Sequence, residues 1–385
     1  MQDLVQQIER AFARDAMRAA LPVYSSDELP LSHEAITTEW LTDALCKGIY
    51  GAQVVALDLG PDDNGSSNRR KIRVTYNGAG MAAHLPSKLF GKATHGLANR
   101  FVLGVSGAAA SEVNFYSRIR RHLAIDAPSC HFARIDTESF NSLVILDDIS
   151  DDVTAFCDHR TVMNKARAES QMRLLGQLHG AAYSKPQIRA ELGAFTTWPD
   201  YFRNTLGFGM KVGSEIGFQD AVDVIPPRLF ARTAEIWPKT ESSVARHAAL
   251  PHTLAHGDVH LKHWYVAGNG EMGLSDWQCC SRAHWSRDFA YTISTALTIE
   301  DRRAWEQDLL KLYLAELKAH GGPDTTFDEG WLHYRQQLMT ALTGWTITLH
   351  PAPGMPDMQP RDVTLAFVER IATAMDDVGT LDAFD

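Results

Sequence analysis

The chain of 385 residues is poor in cysteine, in long apolar runs and in clustered positive charge, and each shortage removes a class of function. Its five cysteines, Cys46, Cys130, Cys157, Cys279 and Cys280, are odd in number and lack zinc-ligand spacing. Reduced, mostly buried thiols are therefore expected rather than disulfides. No apolar stretch approaches the roughly 18 residues of a spanning helix. The N-terminal "MQDLVQQIERAFARDAMRAA" reads as an amphipathic charged helix and not as a signal peptide. The expectation is a soluble, cytoplasmic protein with no membrane partner. The 37 Lys and Arg are outnumbered by 47 Asp and Glu, for a formal net charge of -10. That balance argues against a nucleic-acid partner, because neutralising phosphates takes clustered Lys and Arg. No internal repeat or low-complexity linker is visible.

What is present is ordinary globular composition, 45% hydrophobic and 22% charged, in a chain too long for one small core. The texture changes near residue 150. Before it lie short β-rich runs, "AQVVALDLG", "KIRVTYNG", "PSKLFGK" and "SLVILDDI", with turn signals and one helical stretch, "SEVNFYSRIRRHLA". After it, "MNKARAESQMRLLGQLHGAAY", "RAWEQDLLKLYLAELKAH" and "WLHYRQQLMTALTGWTI" repeat apolar residues at helical spacing. The reading is an α+β, two-lobed chain: a helical extension over 1–35, a small β-rich lobe over 36–148 and a larger helical lobe over 149–385. The second lobe carries a hairpin-like insert over 252–280, joined by the tight turn "AGNGEMG". The acidic tail "AMDDVGTLDAFD" reads as a solvated end.

The insert concentrates the chemistry. His252, His256, His260 and His263 surround Asp258 in "HTLAHGDVHLKHW", and Asp276 follows in "GLSDWQ". On a helix, His256, His260 and His263 would share a face and could hold zinc. Pro251, Gly257 and the run Trp264 to Val266 favour a loop between extended segments instead. Two acids about eighteen residues apart, joined by a hairpin, can then converge on one point. Convergent acids hold a hard cation, or divide into base and metal ligand.

"HGDVHLKHW…GLSDWQ" resembles the catalytic and metal-binding loops of the aminoglycoside phosphotransferase and choline kinase-like branch of the protein-kinase-like superfamily. "SRDFAYTISTAL" resembles the same branch, especially its ecdysteroid-kinase-like members, in which an aspartate opens a helix after the metal loop. The resemblance spans about residues 40 to 320 and implies a bilobal kinase fold with ATP and Mg2+ bound between the lobes. It gives Asp258 the role of orienting or deprotonating an acceptor hydroxyl, with His260 scaffold or acceptor-facing, and His256 a scaffold role. It gives Asp276 the metal between the β and γ phosphates. The stretch "LGPDDNGSSNRRKIRVTY" is similar to the phosphate-covering loop, with Gly65, Ser66 and Ser67 presenting donors to an anion. Lys92, in better register than Lys88, resembles the phosphate-binding lysine, and Glu112 its partner. "SLVILDDI" resembles the hinge strand whose backbone around Asp147 and Ile149 reads adenine, or else is a buried edge strand.

His263 departs from the pattern, since the family usually places asparagine there. Imidazole is a softer ligand that suits Mg2+ poorly. The departure implies one main metal on Asp276, use of Mn2+, or a weakly active relative. The acceptor side is expected in "TTWPDYF", "HWSRDF" and "GWTITLHPAPGMPDMQP", rich in Trp198, Tyr201, Trp285, Trp345, Met355 and Met358 and poor in carboxylates. Such a wall suits a neutral or weakly charged, hydrophobic hydroxyl compound rather than a polycation. The expectation is a small-molecule kinase. A nucleotide-binding pseudokinase and a metal-dependent hydrolase built on the histidines remain as alternatives, and oligomeric state is not legible.

Overall fold

Alternation along the strands builds the first layer of structure. In "KIRVTY" the side chains of Ile72, Val74 and Tyr76 are buried while Lys71 and Thr75 face solvent, the period-two pattern of a sheet with one covered face. The computed structural model describes residues 2–207, 209–351 and 358–385, and the chain divides into two units. The first runs to His122 and resumes over Pro128–Asp151, so it includes residues 1–35. The second takes Leu123–Ala127 and Asp152–Asp385.

The first unit holds β1 (Val54–Leu59), β2 (Asp63–Asn64), β3 (Asn68–Tyr76), β4 (Lys88–Ala93), β5 (Cys130–Ile135) and β6 (Ser142–Asp147). They pair antiparallel in the order β1-β3-β4-β6-β5, with β2 on β3. Strand β6 lies inside this sheet, between β4 and β5, so the edge-strand alternative for "SLVILDDI" does not hold. Ile72, Leu89, Leu143 and Ile145 pack against Trp40 and Leu41 as the core. The N-terminal helix Gln2–Ala16 is anchored by Asp15, 2.5 Å from the buried Arg100 guanidinium. The single helix expected among these strands is joined by two others, Gly78–Ala82 and the helical run from Leu97 to Val105. Both are too short for an amphipathic stripe. The first is marked only by its cap, in which the Gly80 N–H donates to Asn77 Oδ1 at 3.1 Å.

The second unit is mainly helical, with Lys165–Ser184, Thr233–Ala248, Ser286–Ala296, Ile299–Ala319, Phe327–Leu349 and Arg361–Asp377 the long or central pieces. Two small antiparallel sheets interrupt it. Strands β7 (Val153–Phe156), β9 (Trp264–Ala267) and β10 (Met272–Leu274) form one, and β8 (Thr253–Ala255) with β11 (Ser281–Ala283) forms the other. The tight turn expected at "AGNGEMG" closes the β9–β10 hairpin.

The tail corrects the expectation of a solvated end. Thr380, Leu381, Ala383 and Phe384 are buried, and Gln336 and Arg246 donate to the carbonyls of Ala383 and Phe384. Its acids are paired with cations upstream: Asp376 with Arg228, Asp377 with Arg302 and Arg303, Asp382 with Arg232 and Asp385 with Lys239. Charge count alone hid this, because the apolar residues of the tail sit between the acids. Among the described residues no helix is long and apolar enough to cross a membrane. All five cysteines are free.

Candidate active site

The loop after β8 is built around a turn that needs glycine. Gly257 has φ +83°, and a Cβ there would lie 2.2 Å from the Cys279 carbonyl oxygen, so only glycine fits between His256 and Asp258. The loop is pinned from below by Asp288, in the first turn of the Ser286–Ala296 helix. Its carboxylate accepts from the backbone N–H of His256 (2.7 Å) and of Gly257 (3.0 Å), and from His179 Nε2 (3.2 Å). Burial alone would raise the Asp288 carboxyl. The hydrogen bond and charge of His179, with His256 and Arg287, outweigh it and hold the group below its ordinary value.

His256 ties the loop to the hairpin. Its Nε2 donates to the Ser275 carbonyl (2.9 Å), which leaves Nδ1 to accept from the Asp258 N–H (3.2 Å). Burial lowers its value to about 4, so the ring is neutral. It is scaffold. His263 stands where the asparagine was expected and also braces the loop: its Nδ1 donates to the Asp258 carbonyl at 2.7 Å. The other ring nitrogen, Nε2, lies 3.5 Å from Asp276 Oδ2. Asp276 adopts a left-handed conformation, φ 63° and ψ 71°, costly for a non-glycine residue.

Asp258 is the centre of this group. One carboxylate oxygen accepts from the Tyr291 hydroxyl (3.1 Å), and the other lies 3.7 Å from His260 Nε2 and 3.7 Å from His263 Nδ1. Burial pushes the Asp258 carboxyl up, but His260, His263 and His256 pull it below the ordinary value, so it is ionised at neutral pH. Ligand atoms of Asp258, His260 and His263 all lie within 4.8 Å of one another, close enough for one ion. The second unit therefore brings Asp258, His260, His263 and Asp276 together. Tyr291, Asp288, His179 and Ser275 join them. The sequence marked Asp288 as a helix opener without its role, and Tyr291 carries no local signal.

The expected aromatic wall divides. Trp285 belongs to the core, packed against Tyr313 at 5.0 Å. Trp345 is buried 5.2 Å from His260, and Trp198 stacks on Tyr201 at 5.6 Å. The neighbouring Cys279, with burial second, keeps the Tyr201 hydroxyl protonated, 3.8 Å from the Cys279 sulfur. Met358 is exposed, and Met355 lies outside the described residues.

In the first unit Lys92 and Glu112 are both buried, Nζ to Oε1 at 2.5 Å, whereas Lys88 is exposed beside Asp151. Gly65, Ser66 and Ser67 form the turn from β2 to β3, where Asn99 Nδ2 donates to the carbonyls of Gly65 and Ser66. Ser67 is buried and the other two are exposed. Asp147 ends β6, its Oδ1 2.6 Å from His131 Nε2, and Ile149 opens a short 3-10 turn.

Residues 153–326 match the model of the phosphotransferase enzyme family known as APH, so the resemblance read from the sequence stands over that segment. No curated protein matches the chain. Among solved structures, the macrolide 2'-phosphotransferase of Brachybacterium faecium is similar at 15% identity and TM-score 0.45, covering 77% of this chain and 88% of its own. The ethanolamine kinase of Plasmodium vivax is similar at 10% identity and TM-score 0.47, covering 84% and 81%. An aminoglycoside phosphotransferase of Streptomyces rimosus, solved with ADP and streptomycin, is similar at 17% identity and TM-score 0.41, covering 71% and 90%.

Proposed function

We propose that this chain, with a phosphotransferase-family segment over residues 153–326, transfers the γ-phosphate of ATP to a hydroxyl of a small molecule. The observation that carries the reading is the convergence of an ionised Asp258 and a strained Asp276 on the same short hairpin, bridged by His263. Asp258 orients the acceptor hydroxyl and takes its proton. The bond formed joins the acceptor oxygen to the γ-phosphorus, and the bond broken leaves its electrons on ADP. Tyr291 fixes the carboxylate of Asp258 for that task. Lys92, held by Glu112, draws the α and β phosphates, the turn at Gly65 to Ser67 covers them, and the backbone at Asp147 and Ile149 reads adenine.

Asp276 Oδ2 and His263 Nε2 fit a divalent cation that accepts one oxygen and one nitrogen. Such a pair suits Mn2+ at least as well as Mg2+. A cation held there supplies neutralisation of phosphate charge. The buried rings of Trp198 and Trp345 near the loop favour an acceptor with an apolar body.

ADP release from ATP with Mg2+ or Mn2+ across a panel of hydroxyl compounds tests the reading. Acceptor-dependent release is expected, and Asp258→Ala should abolish it. Nucleotide binding without release would favour the pseudokinase. A second reading, a hydrolase metal on Asp258, His260 and His263, is favoured by their mutual approach within 4.8 Å. It requires stoichiometric zinc in the purified protein.

A further inference from the structure

Three arginines are buried among the described residues, and two of them are neutralised. Arg100, 0% exposed, meets Asp15 at 2.5 Å and donates to the carbonyls of Thr94 and Ser139. Arg302, 1% exposed, pairs with Glu306 at 2.8 Å and with Asp377. Among the described residues Arg287, 5% exposed, has no carboxylate within ion-pair distance, and its Nε and Nη1 have no hydrogen-bond acceptor. Its guanidinium carbon lies over aromatic rings instead, 3.5 Å from the Trp198 ring centre and 5.6 Å from that of Tyr291. Stacking offsets part of the desolvation of a buried cation, but it satisfies no N–H.

The place of this cation matters more than its burial. The Tyr291 ring that flanks it sends its hydroxyl to Asp258, and the Trp198 beside it leaves its own Nε1–H without an acceptor. Asp288, the next residue, feels the charge of Arg287 but gives it no hydrogen bond, because its two oxygens are taken by His179, His256 and Gly257. Unsatisfied donors of a cation and an indole thus collect beside the proposed base. A group that accepts hydrogen bonds and carries negative charge completes the set. A guanidinium is well shaped for a carboxylate, which it can hold through two parallel bonds.

We propose that the acceptor is a hydroxy acid: an apolar body with a hydroxyl presented to Asp258 and a carboxylate bound by Arg287. The inference rests on the phosphotransferase reading and deepens it. Choice of an anionic acceptor also follows from charge, since a polycation would have to approach a buried, unpaired arginine.

The test uses the full chain with ATP and Mg2+ or Mn2+. A chain-length series of hydroxyalkanoic acids is compared with the matching primary amides, in wild type, Arg287→Gln and Arg287→Lys. ADP release and thermal stabilisation are both read. Wild type should prefer acids to amides by about ten- to a hundredfold in KM, the range for losing a charge-assisted bond. Arg287→Gln should lose that preference and Arg287→Lys keep part of it, while stabilisation by nucleotide persists in both. Amides used as well as acids, preference retained in Arg287→Gln, or no acid bound while nucleotide is, would each overturn the hydroxy-acid proposal and leave the kinase reading standing. Failure of nucleotide to stabilise wild type would remove the kinase reading itself. Should Arg287→Gln not fold, the acid-to-amide ratio in wild type and Arg287→Lys still decides the matter.

Discussion

His263 is the residue that most separates this site from the pattern its sequence resembles. Its Nδ1–H is spent on the Asp258 carbonyl, so it keeps the bracing role expected of an asparagine while turning a nitrogen, not an amide oxygen, toward Asp276. Nitrogen donors discriminate against Mg2+ in favour of softer divalent cations. In His263→Asn, activity with Mg2+ should therefore rise relative to activity with Mn2+, measured as the ratio of ADP-release rates at saturating metal. An unchanged ratio would mean that His263 only braces the loop. The identity and spacing of Asp258, His263 and Asp276 were legible in the sequence, because each sits in a short motif. Arg287 was not, because nothing in "HWSRDF" says that its guanidinium lacks a carboxylate partner among the described residues.

At the scale of the element, the catalytic loop depends on the helix that follows it. Asp288 satisfies two backbone N–H groups of the loop and one imidazole N–H while fully buried. Removing an acceptor of that kind leaves buried donors unpaired. Asp288→Ala should cost about 3–5 kcal/mol in urea unfolding, and Asp288→Asn, which keeps one acceptor oxygen, should cost less. Equal stability of Asp288→Ala and wild type would show that the loop stands without its post. Strands with clear alternation, such as β3, and long helices with three-four spacing were readable from sequence. Elements such as β7 and β11 were not: each is three or four residues long, and pairing with β9 or β8 rather than local propensity holds it. The tail failed for a related reason, since its burial is set by arginines far away in the chain.

For the whole molecule, buried neutral histidines set the response to acid. Burial holds His33 and His256 down at about 4, and His95, His247 and His260 at about 3. Unfolded, each titrates near 6.5. As pH falls from about 6.5 toward 4 the unfolded chain takes up protons that the folded chain refuses, so stability drops across that window and is fully present above it. The slope is at most about 1.4 kcal/mol per pH unit for each ring. Urea midpoints at about pH 7.5 and 5 should show the fall, and a flat profile would contradict the burial of these rings. Phosphoryl transfer at this site requires that a metal–nucleotide complex meet Asp276. The direct measurement is the shift in melting temperature produced by ATP with Mg2+, Mn2+ or Zn2+ in wild type, Asp258→Ala and Asp276→Ala. ATP with Mg2+ or Mn2+ should stabilise wild type and Asp258→Ala and do much less for Asp276→Ala. Stabilisation by Zn2+ alone, with no response to nucleotide, would contradict the phosphotransferase and move the chemistry to the histidines around Asp258.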